Sequence, residues 1–240
     1  MVAAALLGVG VSTAPKAKAA NLYWDSDTST AGNSPATGTN LGGLGNWNNS
    51  ASATPLLNWY DGASEVSWTN ANYDVANFLG TAGTVTLTDN VTVGGLYFGT
   101  DGFKLTGNTI NFGGGATLYA AIGQAGQVDS VLAGSNGFTK TGSGTVRLAN
   151  AANSFTGAIS ITDGTLAITS AGALGSSTSQ IVVNAAGTKG QYGGQLFLQG
   201  TVGAAGPTGM TITRDILANG YGPNNLGGGS IASFGNNTLA

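Results

Sequence analysis

A five-residue unit, Gly-Thr-apolar-x-apolar, recurs as Gly83-Thr84-Val85-Thr86-Leu87, Gly144-Thr145-Val146-Arg147-Leu148 and Gly164-Thr165-Leu166-Ala167-Ile168. The second and third copies start 20 residues apart, and the first starts 61 residues before the second, about three such steps. Short strands with a period in the 20s mark a solenoid, because one unit cannot bury its apolar face alone and must stack on its neighbours. Further runs alternate with period two between turn residues: Val91-Thr92-Val93, Phe103-Lys104-Leu105, Ile110-Asn111-Phe112, Ile159-Ser160-Ile161, Ile181-Val182-Val183, Leu196-Phe197-Leu198 and Met210-Thr211-Ile212. That alternation is the strand signature, and no window of helical length carries a clean apolar stripe. The expected fold is all-β, a parallel β-helix. Parallel neighbours need a connection of a dozen or more residues, and in a β-helix the rest of each coil supplies it without a helix. About 160 residues at ~20 per coil give roughly eight coils, a rod on the order of 40 Å long at ~4.8 Å per stacked strand.

Composition explains itself in this frame. The 240 residues include 42 glycines, and only 7% are charged. Glycine supplies positive-φ corners, and Asn or Asp tolerates the same conformation. Stacking sets like residues above like, so a repeated Lys or Glu would form a self-repelling column, whereas Thr, Ser and Asn columns are neutral. A hydrophobic fraction of 41% is enough to bury a core, which excludes a disordered chain. There is no histidine and no cysteine, so disulfides, Cys/His zinc sites and nucleophile–histidine pairs are excluded. Seven basic against ten acidic residues leave a net charge of −3, which supplies no basic surface for nucleic acid.

Residues 2–14 form an uncharged apolar stretch, too short for the ~20 residues of a membrane-spanning helix. Ala17-Lys18-Ala19 follows, a small-x-small site of the signal-peptidase kind. We read residues 1–19 as a signal peptide with a truncated n-region, the mature chain starting near Ala20. Residues 20–75 hold all four tryptophans, Trp24, Trp47, Trp59 and Trp68, with Tyr23, Tyr60 and Tyr73. They read as an aromatic-rich N-terminal cap for the open end of the sheet, whose unpaired edge would otherwise template aggregation. Residues 76–240 read as the β-helix repeats. The closing Asn236-Asn237-Thr238-Leu239-Ala240 looks like the opening of another coil, so the array is expected to be incomplete there, its first partners being further coils of a longer protein.

Gly142-Ser143-Gly144-Thr145-Val146-Arg147-Leu148 continues through Asn153-Ser154-Phe155-Thr156-Gly157, Ile159-Ser160-Ile161 and Gly164-Thr165-Leu166 to Ala171-Gly172-Ala173-Leu174-Gly175. This series resembles the autotransporter-associated β-strand repeat, whose pattern runs G-x-G-x-L-x-L, N-x-Y-x-G-x-T-x-I, G-T-L, A-G-A-L-G. Phe155 stands where the pattern has Tyr. Region 80–135, including Gly94-Gly95-Leu96-Tyr97-Phe98, matches more loosely, and Leu22-Tyr23-Trp24-Asp25 with Trp47-Asn48 resembles the lead-in that precedes such repeats. The resemblance implies a right-handed parallel β-helix of the pectin-lyase-like type, exported and displayed on a bacterial surface or outer membrane. It carries no catalytic signature, so no functional residue transfers. The sequence given holds no terminal translocator barrel, which leaves the secretion route open.

Candidate sites have plainer readings beside them. Paired carboxylates for hydrolysis must sit about 5–9.5 Å apart, and the ten acids, Asp25, Asp27, Asp61, Glu65, Asp74, Asp89, Asp101, Asp129, Asp163 and Asp215, are scattered. Asp89, Asp101 and Asp163 sit in turn contexts that account for them. Asp25-Ser26-Asp27 lacks the glycine of a calcium loop and reads as a solvated turn. Gly113-Gly114-Gly115 and Gly227-Gly228-Gly229 lack the Lys-Ser/Thr ending of a phosphate loop and read as turns. The tryptophans remain: Trp24, Trp47, Trp59 and Trp68 are candidate glycan contacts, or else the core of the cap, which we favour because few other large side chains are available there. The expected function is a non-enzymatic, exported surface stalk or adhesive passenger without metal or cofactor, meeting surface glycans or other cells. The alternatives are a carbohydrate-binding module using the tryptophans and a polysaccharide-active enzyme.

Overall fold

The computed structural model describes residues 19–184, 193–203, 206–219 and 231–240. The leader read at 1–19 lies outside the described residues except for its last position, as does Gly227-Gly228-Gly229. Two large sheets carry the chain. One is 11-stranded and runs, in spatial order, Ile216–Asn219, Ile181–Asn184, Ile159–Ile161, Phe138–Thr141, Ile110–Ala120, Val91–Phe98, Val75–Phe78, Asn21–Trp24, Trp59–Tyr60, Glu65–Val66, with Leu132–Ala133 beside Ile110–Ala120. The other is 8-stranded: Gly45–Trp47, Thr84–Leu87, Phe103–Gly107, Ala125–Val128, Thr145–Leu148, Gly164–Ile168, Gly194–Gln199, Ile231–Phe234.

From Val75 onward the chain crosses back and forth between the sheets, and ladder neighbours are joined in parallel. Such connectivity is consistent with a β-helix, each strand pairing with its equivalent one coil away. Every alternating run named from the sequence contributes to a strand. The pairing steps are regular at first. On the second sheet Gly126 pairs with Val146 and Val146 with Leu166, 20 residues each time. Leu166 then pairs with Leu196 and Leu196 with Ile231, so later coils hold 30 and 35 residues between partners.

The repeated pentapeptide is not aligned throughout. Thr145 faces Thr165, as the 20-residue period requires. The first copy is offset: Thr84 leads through Lys104 and Gln127 to Arg147, not to Thr145. The slip is two residues, and an even slip leaves every side chain on its own face. Val85 and Leu148 accordingly end up in one buried column. Gly113-Gly114-Gly115, read as a turn, lies inside Ile110–Ala120. There it provides the residues that shift the pairing between Val93 and Gly95.

Inward side chains stack along the two sheets. One column is Val85, Leu105, Val128, Leu148, Ile168 and Leu198, all buried. Another contains Gly126 where its neighbours have Phe103 and Val146. A Cβ on Gly126 would lie 2.2 Å from the Phe98 ring, so the phenyl group fills the space a side chain would take. The four tryptophans stand at the other end of the same core. Ring centroids lie 5.3 Å apart for Trp24–Trp59, 4.8 Å for Trp47–Trp59 and 4.9 Å for Trp47–Trp68. Phe78 then stacks on Phe98 at 5.3 Å, carrying the aromatic series into the coils. At this end Trp59 pairs antiparallel with both Trp24 and Val66. The first sheet therefore stops in a small antiparallel unit.

Candidate functional site

Residues 137–164 place two polar side chains, Lys140 and Asn153, in the interior. Phe138–Thr141 alternates inward and outward, and its parity sends Lys140 into the core, where it is 0% exposed. Its column mates are Leu118, Ile161 and, one coil further, Val183. A buried ammonium is costly unless its protons find acceptors. Here Nζ donates to the carbonyl oxygens of Thr141 at 2.8 Å, Gly142 at 2.7 Å and Asp163 at 3.0 Å. Three donors meet three acceptors. Burial pushes the ammonium down to about 8, and the Asp163 carboxylate opposes that shift. The corners around it are fixed by glycine: Gly142 and Gly164 have φ of 71° and 63°. Asp163 accepts from Ser143 Oγ at 3.1 Å and from the Gly164 amide at 2.7 Å, so one corner is tied onto the next.

Asn153 makes a second tie. Its Oδ1 accepts from the Leu132 amide at 2.8 Å and its Nδ2 donates to the Ala173 carbonyl at 2.9 Å, which spans coils on both sides. Phe155 is buried between Phe112 and Phe138. These side chains are what the repeated motif encodes. They let irregular backbone sit against an apolar interior with its polar groups paired.

The outer face of the second sheet carries a groove of about 540 Å³ whose lining includes Lys104, Gln127, Arg147, Ala167 and Phe197. These five form one outward column, coil by coil. The expected neutral columns are broken here by two cations, Lys104 and Arg147, with Gln127 set between them. Gln127 accepts from Arg147 at 2.8 Å and donates to Asp129 at 2.6 Å, and Asp129 pairs with Lys104 at 2.6 Å. Repulsion along the column is thus relieved by a neutral spacer and one carboxylate. Both ion-pair partners are partly solvated, so replacing Lys104 with Ala is expected to change stability by no more than ~1 kcal/mol. A urea unfolding midpoint measures this, and a larger loss would show that the column is held by its charges.

All four tryptophans singled out from the sequence are 0% exposed. No indole face is open to a sugar ring, and the structure brings the four together as core. Trp24 and Trp68 donate to the carbonyls of Gly43 and Thr92. Several acids hold structural roles: Asp27 accepts from Ser29, Asp89 from Ser52 and Asn49, and Asp101 from Ala125. Among the described residues no group of three His, Cys, Asp or Glu side chains is placed to hold a metal. Sequence reasoning passed over Lys140, which in Thr-Lys-Thr looks like a solvated residue. The available signal was its parity with Phe138 two positions earlier.

Residues 138–168 match the family model described as Passenger-associated-transport-repeat. The chain is 39% identical over 181 residues to the adhesin BmaC autotransporter of Brucella suis biovar 1 (strain 1330), an alignment that covers 75% of this chain and 5% of that protein. The chain therefore spans about 5% of the length of this curated relative. No solved structure matches it. No helix among the described residues is long and apolar enough to cross a membrane. The matched residues contain the buried Lys140, the Asn153 tie and the Gly142 and Gly164 corners, and with that identity they make the chain an autotransporter-associated repeat protein.

Proposed function

We propose that this chain is a segment of an exported passenger at a bacterial cell surface, where it serves as a non-enzymatic stalk with an adhesive role. The observation that carries the reading is the unbroken coil-to-coil pairing of both sheets from Val75 to Phe234. Such pairing spends the sequence on length and stiffness, and among the described residues no group of three His, Cys, Asp or Glu side chains is placed to hold a metal. The adhesin name of the similar autotransporter supports the adhesive part. In this reading the two sheets wind as a right-handed parallel β-helix of the pectin-lyase type. Its partners are further coils and the surfaces of other cells or their glycans.

The test places an epitope tag in the full-length gene at the turn after Ile122, which is 64% exposed. Antibody should label intact bacteria, and removal of residues 20–240 should reduce their attachment to host cells. Label that appears only after lysis, or unchanged attachment without the segment, would sink the proposal.

A further inference from the structure

At the N-terminal end, Asn33 lies between two carboxyl groups that sequence places far apart. Its Nδ2 donates to Asp25 Oδ2 at 2.5 Å and to Glu65 Oε1 at 3.2 Å. Asp25 is 1% exposed, and its other oxygen accepts from the Asp27 amide at 3.2 Å. Burial raises Asp25 above the usual carboxylate range, and the N–H donors on both of its oxygens oppose that shift. The other two residues are not completed. Asn33 Oδ1 and Glu65 Oε2 are both buried and both lack a hydrogen-bond partner. Each is an acceptor, and a single proton is what such a pair of oxygens needs.

We infer that Glu65 is held as the neutral acid, its Oε2–H donating to Asn33 Oδ1 while Asn33 Nδ2 donates to Glu65 Oε1, so that the two side chains form a cyclic acid–amide pair. This pair is a proton-dependent clasp. It fastens the 25–40 loop to Glu65–Val66, the last strand of the first sheet. The charged groups that act on Glu65 are all acidic: Asp25, Asp27 and Asp61. Tyr60, opposite it in the hairpin, turns its hydroxyl to the Gly62 carbonyl. The one ion pair among the described residues, Lys104–Asp129, is elsewhere. Burial, and then the Asp25 carboxylate, push Glu65 up to about 7, which agrees with the geometry. A carboxyl raised in the folded state stabilises fully below its unfolded value near 4.5, and that contribution is lost as pH rises through about 7.

The experiment is hydrogen exchange on the full chain across pH 4–9, followed at the amides of residues 26–41 and corrected for intrinsic rates. Opening should increase by up to about ten-fold per pH unit between 4.5 and 7 and level off above. Amides of residues 138–168 should keep a flat profile between pH 4.5 and 7, below the range in which the buried Lys140 ammonium titrates. Glu65→Gln, whose amide N–H replaces the acid proton, should hold the loop closed and flat throughout. Asn33→Ala should open the loop even at pH 5. A second readout does not depend on how the variants fold: the carbon-13 shift of the Glu65 carboxyl should titrate near 7. Titration near 4.5, or a wild-type profile as flat as that of Glu65→Gln, would overturn the inference. Calcium alone closing the wild-type loop at pH 8, with no effect on Glu65→Gln, would also overturn it, since the two oxygens would then be holding a cation.

Discussion

Replacing Lys140 with methionine is expected to destabilise the array by about 3–5 kcal/mol. The methionine stem fills most of the lysine's volume, so the loss comes from the carbonyls of Thr141, Gly142 and Asp163. Each would lose an ammonium donor at a partly buried corner, and an orphaned buried acceptor costs about 1–3 kcal/mol. Dispersion gained by the thioether offsets only part of this. Because stacked coils couple chiefly to their neighbours, the damage should be local. Amide exchange should quicken around residues 138–168 while Asn21–Phe78, behind its aromatic core, keeps its protection. A Lys140→Met protein within ~1 kcal/mol of wild type by urea unfolding would show that the three carbonyls find other donors.

A methyl group at Gly157 should do comparable harm for a different reason. Its Cβ would stand 1.8 Å from the Gly137 nitrogen and 2.2 Å from the Asn136 carbonyl carbon. Gly137 is in the same position from the other side, its Cβ 1.7 Å from the Ala158 oxygen. Neither residue has positive φ, so the constraint is the separation of two backbones and not a left-handed conformation. Nothing there can give way as a side chain could. The Phe138 amide is bonded to Ala158 at 3.1 Å, and the coils would have to part to admit the methyl. Gly157→Ala is expected to cost at least ~3 kcal/mol, the upper end of what overpacking does. Gly115→Ala is the control: its Cβ would meet nothing within 4 Å, and its effect should stay within ~0.5 kcal/mol. Equal effects of the two substitutions on the urea midpoint would remove close approach as the cause.

What could be read beforehand follows from which interactions are local. Period-two alternation reports the two faces of a strand directly, and runs such as Val146-Arg147-Leu148 and Ile159-Ser160-Ile161 lie where expected. The indoles were foreseeable as core, since a segment with few large apolar residues has little else to bury. Ala125–Val128 went unseen because Gly126 lacks the apolar side chain that alternation needs, its place being taken by Phe98 from another strand. The two-residue slip of Thr84 was equally hidden, for parity survives an even shift and sequence shows only parity. Asn33 with Glu65, 32 residues apart, and Lys140 with Asp163, 23 apart, are meetings of different turns of the chain. Their chemistry comes from desolvation and from which backbone groups are left over, and neither is written in any short window.

The coils of the second sheet hold 20, then 30, then 35 residues between paired positions, yet the ladder continues across all of them. Doubling the length of a connection costs only about 0.6 kcal/mol of closure entropy. That is small beside the effects expected at Lys140 or Gly157. Insertions between paired positions are therefore nearly free, while substitutions at the junctions are not. A lineage of such proteins can add loops coil by coil, changing what it shows to its surroundings without disturbing the frame that carries them.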